Sequence, residues 1–312
     1  MLLLNGFTDP DAYRGGYLSL GNFDGVHRGH QVMLGQLVAQ ARRLGGPAVV
    51  MTFEPHPLAL LAPERLPPKL TTLTEKARLL AELGIDCLIA YKTDTHLLQL
   101  TAEEFFQKVI RDEVAARGLI EGPNFCFGRG RKGTIETLKV MCDAAHLELK
   151  VCEMIAMDGQ DVSSTTIRTA LREGRIRDAN SGLRRSYRLA GKVVSGARRG
   201  RTIGFPTANL DEVETLVPGN GVYAAVSEVG GVRYPAAVHI GPNPTFGENA
   251  QKIEIHLTGF SGDLYGQTLA IDFLDQVRGV QRFASVDELK AQLERDVAAT
   301  RAIAAAPPVT FP

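Results

Sequence analysis

Short apolar runs alternating with helix-length amphipathic stretches fill roughly the first 180 residues of this 312-residue chain, and they restrict its fold more than any other feature. A parallel α/β sheet produces this texture, because strands buried on both faces read as apolar runs and are joined by crossover helices. Strands are predicted at Tyr17–Leu20, Ala48–Phe53, Cys87–Tyr91, Gly118–Glu121 and Leu147–Ile155. Helices are predicted at Gln31–Arg43, Thr74–Leu83, Ala102–Val114, Ile135–Ala145 and Thr165–Glu173. Thr72 with Glu75, and Thr101 with Glu104, have the spacing of helix N-caps. After about Arg185 the texture changes to five strand-like runs, Tyr187–Val194, Gly221–Val229, Arg233–Ile240, Lys252–Leu257 and Thr268–Phe273, separated by Gly, Pro, Asn and Asp turns. One helix, Val286–Ala304, follows them with an apolar stripe through Leu289, Leu293 and Val297. The second part therefore reads as a small antiparallel barrel or sandwich closed by a C-terminal helix.

The length suits two domains of roughly 100–200 residues each. Lysine plus arginine and aspartate plus glutamate number 35 each, so no net field draws the whole molecule to nucleic acid or membrane. Ten arginines fall between Arg168 and Arg201, but aromatic residues are nearly absent there, with only Tyr187 in reach, so a base-stacking platform is not expected. Four cysteines without a C-x-x-C pair point to a reducing compartment. The MLLLNGFTDPD start lacks the basic region and sustained apolar core of a signal peptide. No apolar run approaches the ~20 residues of a membrane-spanning helix, and a soluble cytoplasmic protein is expected.

LSLGNFDGVHRGH, residues 18–30, ends a strand, turns on Gly21 and Gly25, and sets His27 and His30 around Gly29 at the start of a helix. Two histidines at this spacing are compatible with a metal site, a phosphate clamp or a polar loop. Zinc is disfavoured, because no cysteine lies nearby and the glutamate of H-E-x-x-H is missing. A phosphate has a physical rationale: glycines let backbone approach a ligand, and the helix start offers free N–H groups at its positive dipole end. Gly128-Arg-Gly130-Arg-Lys-Gly133 is a literal G-x-G-x-x-G with Glu153 further on. It stands late in the sheet and is cationic at three variable positions, which favours polyphosphate over a dinucleotide. Its order is not that of a Walker A loop. Ser163-Ser164-Thr165 precedes a helix containing Arg168, and helix capping alone accounts for it. Pro206-Thr207-Ala208-Asn209 puts two oxygen-bearing side chains on one face of an extended segment, a donor type suited to magnesium. Glu254 alternates with Ile253 and Ile255 in a strand.

GNFDGVHRGH resembles the H-x-G-H signature of nucleotidylyltransferases. FEPHP (53–57), GPNFCFGRGRKG (122–133) and SSTTIRTALREGRI (163–176) extend the likeness, in order, to the bacterial bifunctional riboflavin kinase/FAD synthetase family. GRTIGFPTANL (200–210), GVYA (221–224), HIGPNPTFGEN (239–249), IEIHL (253–257) and DLYGQ (263–267) carry it through nearly the whole chain. The resemblance implies a Rossmann-like nucleotidylyltransferase domain over 1–183 and a riboflavin kinase β-barrel with a C-terminal helix over 184–312. It implies phosphorylation of riboflavin to FMN, then transfer of AMP from ATP to FMN, giving FAD and pyrophosphate. His27 and His30 would position and neutralise phosphates, helped by Gly21, Phe23, Asp24, Gly29 and His56. Asn124, Phe127 and Arg131 would meet the flavin phosphate or nucleotide, and Ser163, Ser164, Thr165 and Arg168 the ATP phosphates.

For the second domain the resemblance implies phosphate closure by Gly200, Gly204 and Phe205, Mg²⁺ with ATP at Thr207 and Asn209, and Glu254 as the general base. Phe246, Asn249 and the Arg278 region would line the flavin pocket, with His256 a packed neighbour. Two positions and one run depart from the family pattern: Asn124 and Thr134 stand where relatives carry acids, and Leu183-Arg-Arg-Ser-Tyr187 replaces a Leu-Gly-Arg-Pro-Tyr-like run. The expected partners are riboflavin, FMN and ATP, with neither nucleic acid nor membrane, and the expected state is a monomer or weak homo-oligomer. The alternatives are a chain retaining only the kinase activity and a flavin- or nucleotide-binding regulator without turnover.

Overall fold

The computed structural model describes residues 1–153, 156–157, 160–195, 204–243 and 248–307. Two compact units, Met1–Val162 and Ser163–Pro312, are separated by packing.

The first unit is built on a six-stranded sheet in the order β1-β4-β3-β2-β5-β6, and every pair in it is parallel. The strands are β1 (Leu2–Asn5), β2 (Tyr17–Leu20), β3 (Ala48–Glu54), β4 (Cys87–Lys92), β5 (Gly118–Glu121) and β6 (Glu148–Val151). Helices α1 (Arg28–Leu44), α2 (Leu58–Leu61), α3 (Leu73–Glu82), α4 (Thr95–Gln99), α5 (Ala102–Phe105) and α6 (Ile135–Ala144) connect them. Beyond α5 the helix continues with π spacing from Phe106 to Glu113. The two-residue side-chain period of the strands sorts the core into two layers. Leu18, Leu20, Val49, Met51, Cys87, Ile89 and Leu119 pack with Phe105, Ile110 and Leu138 on one face. Tyr17, Ala48, Val50, Leu88 and Ile120 pack with Leu34 and Leu37 of α1 and Leu79 and Leu80 of α3 on the other. A short antiparallel pair, β7 (Ala156–Met157) and β8 (Gln160–Asp161), ends the unit.

Several features of this unit differ from the sequence expectation, among them the short helices α2 and α4, the π-spaced end of the helix begun by α5, and the β7/β8 pair. Strand β1 was not anticipated; its leucines pair in register with Cys87–Ala90 at the sheet edge. The strand expected over Leu147–Ile155 is Glu148–Val151, and residues 154–155 lie outside the described ones.

In the second unit α7 (Ser164–Arg172) and α8 (Ile176–Leu183) precede a closed barrel in the order β10-β13-β12-β11-β14-β9. Its strands are β9 (Tyr187–Val194), β10 (Ala208–Asp211), β11 (Gly221–Val229), β12 (Val232–Asn243), β13 (Glu248–Leu257) and β14 (Thr268–Arg278), and all their pairings are antiparallel. Closure settles the barrel-or-sandwich alternative, and β10, which the sequence reading passed over, is the strand that closes it by pairing with both β9 and β13. Helix α8, also unanticipated, is tied to the barrel by Asn180, whose amide donates to the Phe273 carbonyl (2.9 Å) and accepts from the Tyr187 N–H (2.7 Å). By packing, α7 and α8 group with the barrel, and the compact units part at Val162/Ser163. Arg184 caps α8 with a left-handed φ of 55°, a conformation that favours the glycine of the family pattern. Helix α9 (Val286–Ala305) is clasped by Arg278, whose guanidinium donates to the buried Asp296 carboxylate at 2.8–3.1 Å.

Candidate active sites

From β2 the chain steps through β3 to β4 in one direction, whereas β5 and β6 lie on the other side. The crevice between the carboxyl ends of β2 and β5 is thus the topological switch point, where open α/β sheets bind ligands. Pairing between the two strands stops after Leu18 and Leu119. The Leu20 N–H is then satisfied by the carboxylate of Glu121 at 2.7 Å. The chain leaves β2 through residues 21–27 and enters α1 with His27 as its N-cap.

That loop is held in unusual geometry. Phe23 and Val26 have φ of 45° and 40°, conformations that cost L-residues, a β-branched valine above all. Asp24 accepts from the Leu70 and Thr71 N–H groups at 3.0–3.1 Å, and Gly25 donates to the Thr71 hydroxyl at 3.1 Å. The carboxylate that the sequence reading assigned to ligand contact is therefore engaged in pinning the loop. The His27 and His30 rings are stacked, 3.6 Å apart between centroids and 22° from parallel, and Phe23 meets His30 edge-on at 5.2 Å. A Cβ on Gly29 would stand 3.2 Å from the His27 ring, and one on Gly21 would stand 3.2 Å from the Phe23 ring. These two glycines make room for the rings around which the loop is organised. Nδ1 of His30 is buried without a hydrogen-bond partner. Burial, then His27, then Lys76, hold the His30 imidazole well below its ordinary pKa. His56 adjoins the loop: its Nδ1 accepts from the Leu58 N–H at 3.0 Å, and its Nε2 lies 2.9 Å from the Asn22 amide.

Glu121 is 1% exposed, and burial pushes its carboxyl well above the usual range against a smaller opposing effect of the Leu20 N–H. A carboxyl raised in the folded state stabilises fully below its unfolded pKa, and that contribution is lost as pH rises toward the folded value. Glu121→Gln retains an oxygen acceptor and cannot ionise. It is expected to raise the urea unfolding midpoint of this unit at about pH 8 and to leave it unchanged at about pH 4, measured by urea titration at both pH values.

The cationic loop after β5 places Asn124, Arg129, Arg131 and Lys132 at the surface, Arg131 with a φ of 58°. Two of its glycines serve close packing: a Cβ on Gly128 would meet the Ala102 nitrogen at 2.7 Å, and one on Gly133 the Phe127 ring at 2.8 Å. Phe127 is buried, stacked on Phe125 and bridged to Gly133, so it anchors the loop. Thr134 caps α6. In the second unit Ser163 forms a capping box with Thr166 at the start of α7, as the capping argument requires, and Arg168 is buried with 8% exposure.

On the barrel, register brings together residues far apart in sequence. Asn209 of β10 and His239 of β12 both stand directly opposite Glu254 of β13. Inward positions on either side, Val238, Ile240, Ile253 and Ile255, fill the barrel core, so Asn209, Glu254 and His239 share its outer face. The row continues through Val222 to Arg278, which is already held by Asp296 of α9. Burial lowers the His239 pKa, an effect that Glu254 partly opposes. His256 Nδ1 lies 2.9 Å from the Pro206 carbonyl, and its ring meets Phe205 edge-on at 5.6 Å. Beside Thr207 opens a cavity of about 420 Å³, lined also by Val193, Ile255, Phe260, Asp263 and Tyr265. The last three belong to a glycine-rich turn; sequence reasoning matched Asp263 and Tyr265, within 263–267, to the family without giving them a role and did not single out Phe260. Gly204 has a φ of 92° with open space around it. Gly200 and Phe246 lie outside the described residues, as does the side chain of Asn249.

An open parallel sheet with a histidine loop at its switch point, followed by a closed barrel with Glu254 and Asn209 paired on its face, defines a nucleotidyl-transferring unit joined to a flavokinase-type barrel. A family model described as FAD synthetase matches residues 9–166, and one described as riboflavin kinase matches residues 183–304. The chain is 39% identical over 280 residues to a bifunctional riboflavin kinase/FMN adenylyltransferase of Escherichia coli, covering 89% of this chain and 90% of that one. The corresponding protein of Pseudomonas fluorescens is 36% identical, with 94% of each chain covered, and that of Bacillus subtilis is 34% identical, with 89% of each covered. A crystal structure described as a macrolide-efflux protein from Streptococcus pneumoniae superimposes with a TM-score of 0.87 at 33% identity, over 96% of this chain and 98% of that one. The chain belongs to the bifunctional riboflavin kinase/FMN adenylyltransferase family. Among the described residues no helix is long and apolar enough to cross a membrane.

Proposed function

We propose that Glu254 is the reaction centre of the riboflavin kinase activity and that the stacked His27/His30 pair is the reaction centre of the FMN adenylyltransferase activity. The chain is an enzyme with both activities, and riboflavin, FMN, FAD and ATP are its substrates and products. In the barrel, the Glu254 carboxylate accepts the proton of the ribityl 5′-hydroxyl as that oxygen attacks the γ-phosphorus of ATP, and ADP leaves. In the α/β unit, an FMN phosphate oxygen attacks the α-phosphorus and pyrophosphate leaves, while the imidazoles hold phosphate oxygens in line. The observation that carries this reading is the register placing Asn209 beside Glu254, together with the histidine pair at the sheet's switch point.

Thr207 and Asn209 offer neutral oxygens two residues apart on extended backbone, next to the Glu254 carboxylate. That donor set fits Mg²⁺, which takes hard oxygen ligands and keeps waters and substrate phosphates in its shell. When bound, the ion supplies neutralisation of phosphate charge, and Thr207 and Asn209 would hold it. Ser163, Ser164 and Thr165 fall within the stretch matched by the FAD synthetase model, which supports assigning them to adenylyl transfer, and the riboflavin kinase match beginning at residue 183 supports a functional division near 183/184. Arg168, Asn124 and Arg131 are proposed as phosphate contacts on their chemistry. A cytoplasmic protein acting as a monomer or weak homo-oligomer, without nucleic acid, completes the proposal.

Chromatography of the products formed from riboflavin, ATP and magnesium, and separately from FMN, ATP and magnesium, tests the assignment. Both FMN and FAD are expected from the first mixture and FAD from the second. Glu254→Gln should remove only the kinase step and a His27/His30 double substitution only the adenylyl step; any other partition overturns the assignment.

A further inference from the structure

The first unit buries a lysine that neither reaction centre uses. Lys76, in the first turns of α3, is only 6% exposed, and an ammonium is rarely sequestered without a carboxylate partner. Among the described residues Lys76 makes no ion pair, and its Nζ donates instead to the Thr52 hydroxyl at 3.1 Å. The Thr52 hydroxyl in turn donates to the Asn22 carbonyl at 3.3 Å. Both nearby acids are engaged elsewhere: Asp24 accepts from the backbone of residues 70–71, and Glu54 pairs with Lys69 at 3.0 Å. The relay therefore runs from a buried cation to the carbonyl that precedes Phe23, the first strained residue of the histidine loop. A buried positive charge without its own counter-ion, beside a loop proposed to receive polyphosphate, is electrostatically incomplete until an anion binds.

We infer that Lys76 is a positioning residue for adenylyl transfer, holding the Asn22 turn through Thr52 and fixing a positive charge close to the His27/His30 pair. This rests on the assignment of that pair to phosphate contact. The charged or titratable groups acting on His30 are His27 from its own loop and Lys76 from α3; burial lowers the Lys76 pKa, Asp24 and Glu54 oppose that and favour its ammonium form, and Lys69 adds to the lowering. Removing the lysine charge should therefore make His30 easier to protonate, whereas removing the Thr52 hydroxyl should loosen the turn and leave that charge in place.

The test uses the full chain, with riboflavin phosphorylation by the same preparation as the control. Lys76→Met is expected to lower kcat for FMN adenylylation by about 10- to 100-fold, with kinase activity unchanged. In ¹³C-histidine-labelled protein the His30 resonance should titrate at higher pH than in the wild type. Lys76→Arg should return the His30 titration toward the wild-type value, because it restores the charge. If the ¹H–¹³C spectrum shows that Lys76→Met unfolds this unit, Thr52→Val carries the test, with lower adenylylation kcat and an unmoved His30 titration. Wild-type adenylylation in folded Lys76→Met or in Thr52→Val, or an unmoved His30 titration in Lys76→Met, would overturn the inference. His30→Ala is measured alongside: full adenylylation by that variant would refute the underlying site, whatever the lysine variants do.

Discussion

Glu254→Gln should lower kcat for riboflavin phosphorylation by about 10²–10⁴-fold, the range general-base catalysis contributes, while FMN adenylylation proceeds at the wild-type rate. The amide is nearly isosteric with the carboxylate, so the register with Asn209 and His239 survives and the loss isolates proton acceptance. Ile253 and Ile255 on the opposite face keep β13 seated in the barrel core, so the substitution should leave its thermal unfolding unchanged. Coupled detection of ADP formed from ATP and riboflavin measures the kinase step, and chromatography of FAD formed from added FMN measures the other. A barrel that still phosphorylates riboflavin at more than about one tenth of the original kcat would remove Glu254 from the role of base.

The complementary result is expected for the histidine loop. His27→Ala or His30→Ala should each reduce adenylylation by about 10²–10³-fold, the cost seen when one preorganised donor to a developing oxyanion is removed. Because the two rings stack at 3.6 Å, removal of one also takes away the packing surface of the other, and the double variant should lose less than the product of the single effects. The low pKa of His30, set first by burial, keeps it uncharged in the free enzyme at neutral pH. Bound phosphate favours its protonation, so the pH dependence of kcat for adenylylation should report a higher His30 pKa than the free protein shows by NMR. Equal values in the two measurements would place His30 away from the phosphates.

Much of this molecule could be read before its fold was known. β2, β5, β9 and β11 begin and end where glycine and turn residues bracket the apolar runs, and α9 follows its apolar stripe to within one residue. The H-x-G-H loop and P-T-A-N were visible because their polar residues stand within a few consecutive positions, whereas Glu254, a single carboxylate in a strand, stood out only through the family resemblance. What was passed over is short or ambiguous in isolation. β1 is four residues at a sheet edge, and β10 is Ala-Asn-Leu-Asp, whose alternation is only four residues long and carries the turn formers Asn and Asp; both are strands because of their neighbours. Phe260, Asp263 and Tyr265 gave no separate signal, since a glycine-rich turn reads alike whether or not it borders a cavity.

The amino-acid sequence by itself determined the two fold classes, the helix caps at Thr72, Thr101 and Ser163, and the residue types able to handle phosphate, because these depend on local periodicity and local hydrogen bonding. Tertiary structure alone decided that Glu121 closes the gap between β2 and β5, that Asp24 pins a loop, and that Asn209, Glu254 and His239 form one row. It likewise made an ordinary helical lysine a buried charge beneath Thr52. The physical reason is the same in each case: sheet order and register join distant segments, and the burial that follows sets the electrostatics of the groups they enclose.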